Sequence, residues 1–159
     1  MNHHSSPDTI LLVPFRAGHA ASLRLRPEAD AVLSKLAPLA QLAAAYEAAG
    51  PAWTLMAGGW PLVCGGAVRF WPGVGELWCW AGQEAGHWSV AIARQARATL
   101  LRLRDEHGFH RLQAHVRETD QRARGFAQFL GLAQEGRCPG YGPDQATHIL
   151  YGRFFGWKA

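Results

Sequence analysis

The side chains here with chemistry to offer near neutral pH are few: Glu76, Cys79, His107, His110, His115 and Glu118. A cysteine nucleophile needs its thiol pKa lowered by a neighbouring cation or a helix start. Cys79 has His115 and Glu118 elsewhere in the sequence, but its own surroundings, Leu77-Trp78-Cys79-Trp80, supply no such feature. A small packed hydrophobe is the ordinary reading. His107 and His110 bracket a Gly-Phe turn with no third ligand at metal-binding spacing, and adjacent His3 and His4 make a poor site. Trp78 and Trp80 share one face of a strand-like run, with Cys79 on the other. Together with Trp60, Trp71 and Trp88 they line an apolar ligand pocket or build an aromatic core, and the second use is commoner.

The elements that must position these groups follow from punctuation and periodicity. Ile10–Phe15 reads as a first strand and Ala17–Leu25 as a short helix. Pro27 opens a helix towards Ala37, because a first helical residue needs no N–H and Glu28 and Asp30 favour the opening turn. Pro38 restarts a helix that stops at Gly50-Pro51. A β meander follows over Trp53–Ala57, Leu62–Phe70 and Glu76–Ala81, with Gly65-Gly66 marking a bulge or a close backbone approach. Trp88, Ile92, Ala96, Thr99, Leu100 and Leu103 recur at helical spacing, predicting a helix from Trp88 to His107 with Arg94 and Arg97 facing away. Arg111–Val116 is a strand, Gln121–Leu130 a helix ended by Gly131, and Thr147–Tyr151 the last strand after Leu-Ala-Gln-Glu-Gly-Arg.

Composition narrows the function classes. With 159 residues, 48% of them hydrophobic, the chain can bury a single core. The net charge of +4 comes from scattered arginines, and no like-charge run marks a nucleic-acid tail. Three cysteines without Cys-x-x-Cys spacing predict reduced thiols and a cytoplasmic protein. No stretch approaches the ~20 apolar residues of a membrane span. Residues 1–9, without an apolar signal core, are expected to be a loose terminus before a single domain over 10–159.

The tail Phe129-Leu130-Gly131-Leu132-Ala133-Gln134-Glu135-Gly136-Arg137, followed by Tyr141-Gly142-Pro143-Asp144 and Ile149-Leu150-Tyr151, resembles the closing segment of the GNAT N-acetyltransferase superfamily. The resemblance implies an α/β (α+β) fold: a central mixed, twisted sheet flanked by helices in the order β-α-α-β-β-β-α-β-α-β-β. Leu12-Val13-Pro14-Phe15-Arg16-Ala17-Gly18-His19, the Gly58–Gly66 hairpin and Trp71–Trp78 are similar to a phage-encoded branch of that superfamily. Some members of that branch are acetyltransferases and others internal virion proteins. Two readings therefore stand: acetyl transfer from acetyl-CoA to an amine on a small molecule or protein, or a non-catalytic fold that acts by binding a protein partner. A host cytoplasm or a virion would be the location.

The superfamily holds the cofactor pyrophosphate on backbone N–H groups where a strand turns into the central helix, a seat that needs small residues. The matching residues are Gln83-Glu84-Ala85-Gly86-His87-Trp88; Gln83 and Gly86 agree, whereas Trp88 replaces a small residue and Glu84 adds an opposing charge. The resemblance extends the cofactor contacts to Trp78, Cys79 and Trp80 on the preceding strand, to Ser89, and to Thr119. It also places Glu76 and His115 on the two strands that flank the thioester, where either could act as general base, directly or through water. The tyrosine that many members use to reprotonate the thiolate falls at Ala127, leaving Tyr141 and Tyr151 as weaker substitutes.

Overall fold

Seven strands line up in the order β1-β2-β3-β4-β5-β7-β6 in a computed structural model that describes residues 9–156. The loose terminus expected over residues 1–9 therefore lies almost wholly outside the described residues, as do His3 and His4. The chain runs β1 (Ile10–Pro14), α1 (Ala17–Ser22), α2 (Pro27–Leu33), α3 (Leu39–Ala49), β2 (Ala52–Ala57), β3 (Trp60–Trp71) and β4 (Val74–Ala81). A 3-10 helix (Gln83–Trp88), α4 (Ser89–His107), β5 (Arg111–Arg117), α5 (Gln121–Phe129), β6 (Ala133–Cys138) and β7 (His148–Phe154) complete it. The sheet is mixed: β4 and β5 are parallel, while β1–β2, β2–β3, β5–β7 and β6–β7 are antiparallel. The long α4 crossover is what makes β4 and β5 parallel, since a tight turn can only reverse the chain. Among the described residues no helix is long and apolar enough to cross a membrane.

Two details differ from the sequence expectations. The stretch 17–49 holds three helices, as its residues suggest, where the family order has two, and α2 ends at Leu33, short of Ala37, with Ser34 Oγ donating to the Ala31 carbonyl at 3.0 Å. Pro38 disfavours helical backbone at the residue before it, so α3 starts afresh. The bulge sits not at Gly65-Gly66 but opposite Leu55/Met56, which pair with Val63 and Pro61 and leave Leu62 extra. Gly66 serves the other expected purpose, a close approach: a side chain there would meet the backbone of Pro51 and Ala52.

The described residues form two compact units, 9–66 with 79–89 and 67–78 with 90–156. In the first, Phe15, Leu23, Ala43, Leu55, Leu62, Cys64 and Trp80 form the core. Its one buried polar side chain, Thr54, hydrogen-bonds with His19 Nδ1 at 2.8 Å and meets Cys64 Sγ at 3.6 Å. In the second, Leu100 and Leu103 of α4 bury against a core that includes Phe109, Leu112, Leu130, Ile149 and Tyr151, while Arg94 and Arg97 are exposed. Asp120 caps α5 by accepting the Ala123 N–H at 3.0 Å. Gly131, at φ +80°, ends it, and Leu132 N–H returns to the Ala127 carbonyl at 3.1 Å.

Candidate active site

The parallel β4–β5 ladder is short. Val74, Gly75 and Glu76 pair with Arg111, Leu112 and Gln113, and there the pairing stops, although β4 continues to Ala81 and β5 to Arg117. Where the next ladder bond would form, the Glu76 side chain takes over: its Oε1 accepts the His115 backbone N–H at 3.1 Å. The same oxygen lies 2.6 Å from His115 Nδ1. Both side chains are largely shielded, at 15% exposure for His115 and 18% for Glu76. The second carboxylate oxygen, Oε2, is buried and makes no hydrogen bond.

This geometry assigns the proton. An oxygen that already accepts a backbone N–H is the acceptor for the ring as well, so Nδ1 donates. The neutral imidazole then carries its lone pair on Nε2. A carboxylate that fixes the tautomer and steadies the imidazolium is the arrangement that turns histidine into an effective base.

Other carboxylates of this unit are unsuited to the task. Hydrogen bonds from Arg137 hold the Glu118 carboxyl below its usual range, and Arg117 does the same to Asp144. Arg111 likewise lowers Glu135. Among the described residues no arginine donates to Glu76.

The β6–β7 loop completes the surroundings. Tyr141 stacks on the His115 ring with centroids 3.9 Å apart and planes 9° from parallel, and His148 meets Tyr141 edge-on at 5.4 Å. Sequence reasoning held Glu76 and His115 as alternatives and kept Tyr141 as a weaker substitute for the proton-donating tyrosine. The one signal for Tyr141 was an aromatic residue between two glycines, Gly140 and Gly142, in a loop. Tyr151, the other substitute, is fully buried, and its hydroxyl accepts from Arg124 Nε at 3.0 Å. Ala127 is buried in α5.

The cofactor-side candidates lie mostly in the first unit. Trp80 is core rather than pocket lining: it is 6% exposed and packs edge-on to Phe15 and Tyr46. Trp60 and Trp71 begin and end β3 and are exposed, whereas Trp78 and Trp88 are half-buried. Cys79 has solvent-accessible surface, yet desolvation by the surrounding protein, with Cys64 second, pushes its thiol up to about 12. Either way it stays protonated at neutral pH. Gln83 is engaged elsewhere, its N–H with the Arg24 carbonyl at 2.7 Å and its side-chain amide with the Leu25 carbonyl at 3.0 Å. Glu84 is paired with Arg24 at 3.8 Å, which offsets its charge. Gly86 is open, with nothing near the place a side chain would occupy, and His87 and Ser89 beside it are exposed. The Gly86–Ser89 end is thus open, whereas Gln83 is held against the Arg24–Leu25 backbone. Thr119 is exposed in the turn before α5, in the second unit.

Several solved structures share this architecture. An Ard1 protein from Thermoplasma volcanium superposes with a TM-score of 0.74 at 14% identity, over 93% of this chain and 99% of that one. A GNAT-family acetyltransferase from Bacillus anthracis gives 0.69 at 12% identity, over 94% and 97%. Ribosomal-protein-S5-alanine acetyltransferase from Vibrio fischeri gives 0.68 at 14%, over 94% and 96%. The fold is that of the GNAT acetyltransferases. No protein-family profile matches this sequence, and no curated protein is significantly similar to it.

Proposed function

We propose that this GNAT-fold protein transfers an acyl group, acetyl in the simplest case, from acyl-CoA to an amine. The observation that carries this reading is the Glu76–His115 dyad at the point where the β4–β5 ladder stops. A largely shielded carboxylate oriented onto an imidazole, whose second nitrogen has no protein partner among the described residues, is an arrangement suited to proton transfer. The fold's solved examples named above, acetyltransferases among them, support the same chemistry.

Acyl-CoA would supply the activated thioester carbonyl. Gly86, with the side chains of His87 and Ser89, would hold its phosphates. His115 Nε2 accepts one proton from the amine as the nitrogen attacks, and Glu76 steadies the imidazolium through Nδ1. As the new C–N bond forms and the C–S bond breaks, the thiolate takes up a proton and the dyad returns its own to solvent. The similarity of the Leu12–His19 and Gly58–Gly66 segments to phage-encoded members supports kinship with that branch. The acceptor is an amine on a small molecule or a protein, met in the cytoplasm where acyl-CoA is available.

Thermal unfolding with and without acetyl-CoA or coenzyme A tests the reading at its base. A ligand present at 100 times its Kd adds about 2.7 kcal/mol to stability, a rise in Tm of several degrees. Thiol release on mixing with acetyl-CoA and a panel of primary amines tests the transfer. No shift with either ligand, and no thiol release, would overturn the proposal.

A further inference from the structure

The dyad is held from a second direction. The Nδ1–H bond to Glu76 fixes where the edge of the His115 ring points, but one hydrogen bond leaves the ring free to tilt about it. Tyr141 supplies the missing constraint, lying flat on the imidazole at 3.9 Å. The loop that carries it is itself tied down. Arg117 Nη2 donates to Asp144 Oδ2 at 2.6 Å, Gly142 N–H to the Ala146 carbonyl at 3.0 Å, and Glu118 N–H to the Thr147 carbonyl at 3.0 Å. Gln145, at φ +64°, is the one described non-glycine residue with a left-handed backbone, and its N–H closes the turn onto the Gly142 carbonyl at 2.8 Å. A loop fixed this firmly, presenting a half-exposed aromatic ring face to face with a shielded imidazole, is built to hold that imidazole.

We infer that Tyr141 is a positioning residue for His115, its ring clamping the imidazole so that Nε2 keeps one direction, with no part for its hydroxyl in the reaction. The inference rests on the acyl-transfer reading for its catalytic consequence, but the clamp itself is a property of the protein alone. Stacking confines the ring plane while the carboxylate confines its rotation, and misplacement of a catalytic group by about 1 Å can cost on the order of 100-fold in rate.

Two measurements test it on the full-length protein. In ¹³C relaxation spectra of the His115 ring C–H groups, wild type should show a rigid imidazole and Tyr141→Ala a mobile one, with the Nδ1–H tautomer set by Glu76 the same in both. In amine-acetylation assays, Tyr141→Ala should lower kcat by roughly 10- to 100-fold with KM for acetyl-CoA unchanged. Tyr141→Phe, which keeps the ring, should recover most of that loss and the wild-type spectrum. Should Tyr141→Ala fail to fold, Tyr141→Leu, which keeps volume but no flat face, answers the same question. Wild-type ring rigidity and rate in the Ala or Leu variant would overturn the inference. So would a Tyr141→Phe rate as low as that of Tyr141→Ala, which would give the role to the hydroxyl. If wild type acetylates no amine, the acyl-transfer reading fails, while the spectra still decide whether Tyr141 clamps His115.

Discussion

Glu76 and His115 meet twice on one oxygen: Glu76 Oε1 takes the His115 ring N–H at 2.6 Å and the His115 backbone N–H at 3.1 Å. The carboxylate thus fills a gap in the sheet and sets a tautomer with the same atom. Glu76→Gln can keep both contacts with its carbonyl oxygen in the Oε1 place, but it removes the negative charge that steadies the imidazolium. Turnover should fall about 10²–10⁴-fold with affinity for coenzyme A nearly unchanged, as read from steady-state kinetics and calorimetry. An unaltered kcat would remove Glu76 from the mechanism.

Covalent catalysis through Cys79 is disfavoured by its thiol pKa of about 12. Little thiolate is then present at neutral pH. Cys79→Ala should therefore retain transfer within a few-fold of wild type. Loss of activity with intact folding, or a trapped acyl-thioester found by mass spectrometry, would contradict the direct transfer described above.

The Arg117–Asp144 pair should make stability depend on acidity. Arg117 lowers the Asp144 pKa in the folded protein, so its stabilisation is present above the ordinary aspartate value of about 4 and fades as pH falls through the lower folded value. Asp144→Asn should unfold at lower urea than wild type at pH 7, and the two midpoints should converge as the pH falls through the lowered Asp144 value. A gap that keeps its size over that fall would mean that the loop is held by something other than this charge.

Gly66 should tolerate no side chain. A methyl group there would lie 2.6 Å from Ala52 Cα and press on the Pro51 carbonyl oxygen, so backbone would have to shift. Gly66→Ala should cost about 1–3 kcal/mol in chemical denaturation, the usual range for forced overpacking. A neutral substitution would show that β2 and β3 separate more easily than their register suggests.

Much of this architecture was legible in the chain because its signals are local. Gly131 after Leu130 and the spacing of Leu100 and Leu103 act over one helical turn, so they mark α4 and the end of α5 wherever the rest of the chain lies. The parallel β4–β5 pair followed from connectivity alone, since a crossover helix separates them. The candidate base was legible only as two separate residues, each on the expected strand.

What the sequence could not determine were the relationships set by register. Glu76 and His115 are 39 positions apart, and their contact depends on the ladder stopping at Glu76/Gln113. Tyr141 reaches His115 because β7 pairs with β5 from Arg111↔Phe154 to Arg117↔His148, which brings the β6–β7 loop to that end of β5. A shift of one residue would send every side chain of β7 to the opposite face. Neither helical periodicity nor a glycine stop encodes that shift. It is chosen by the packing of Leu112, Ile149 and Tyr151 in the core, and so only the tertiary structure decided that a glutamate, a histidine and a tyrosine would form one site.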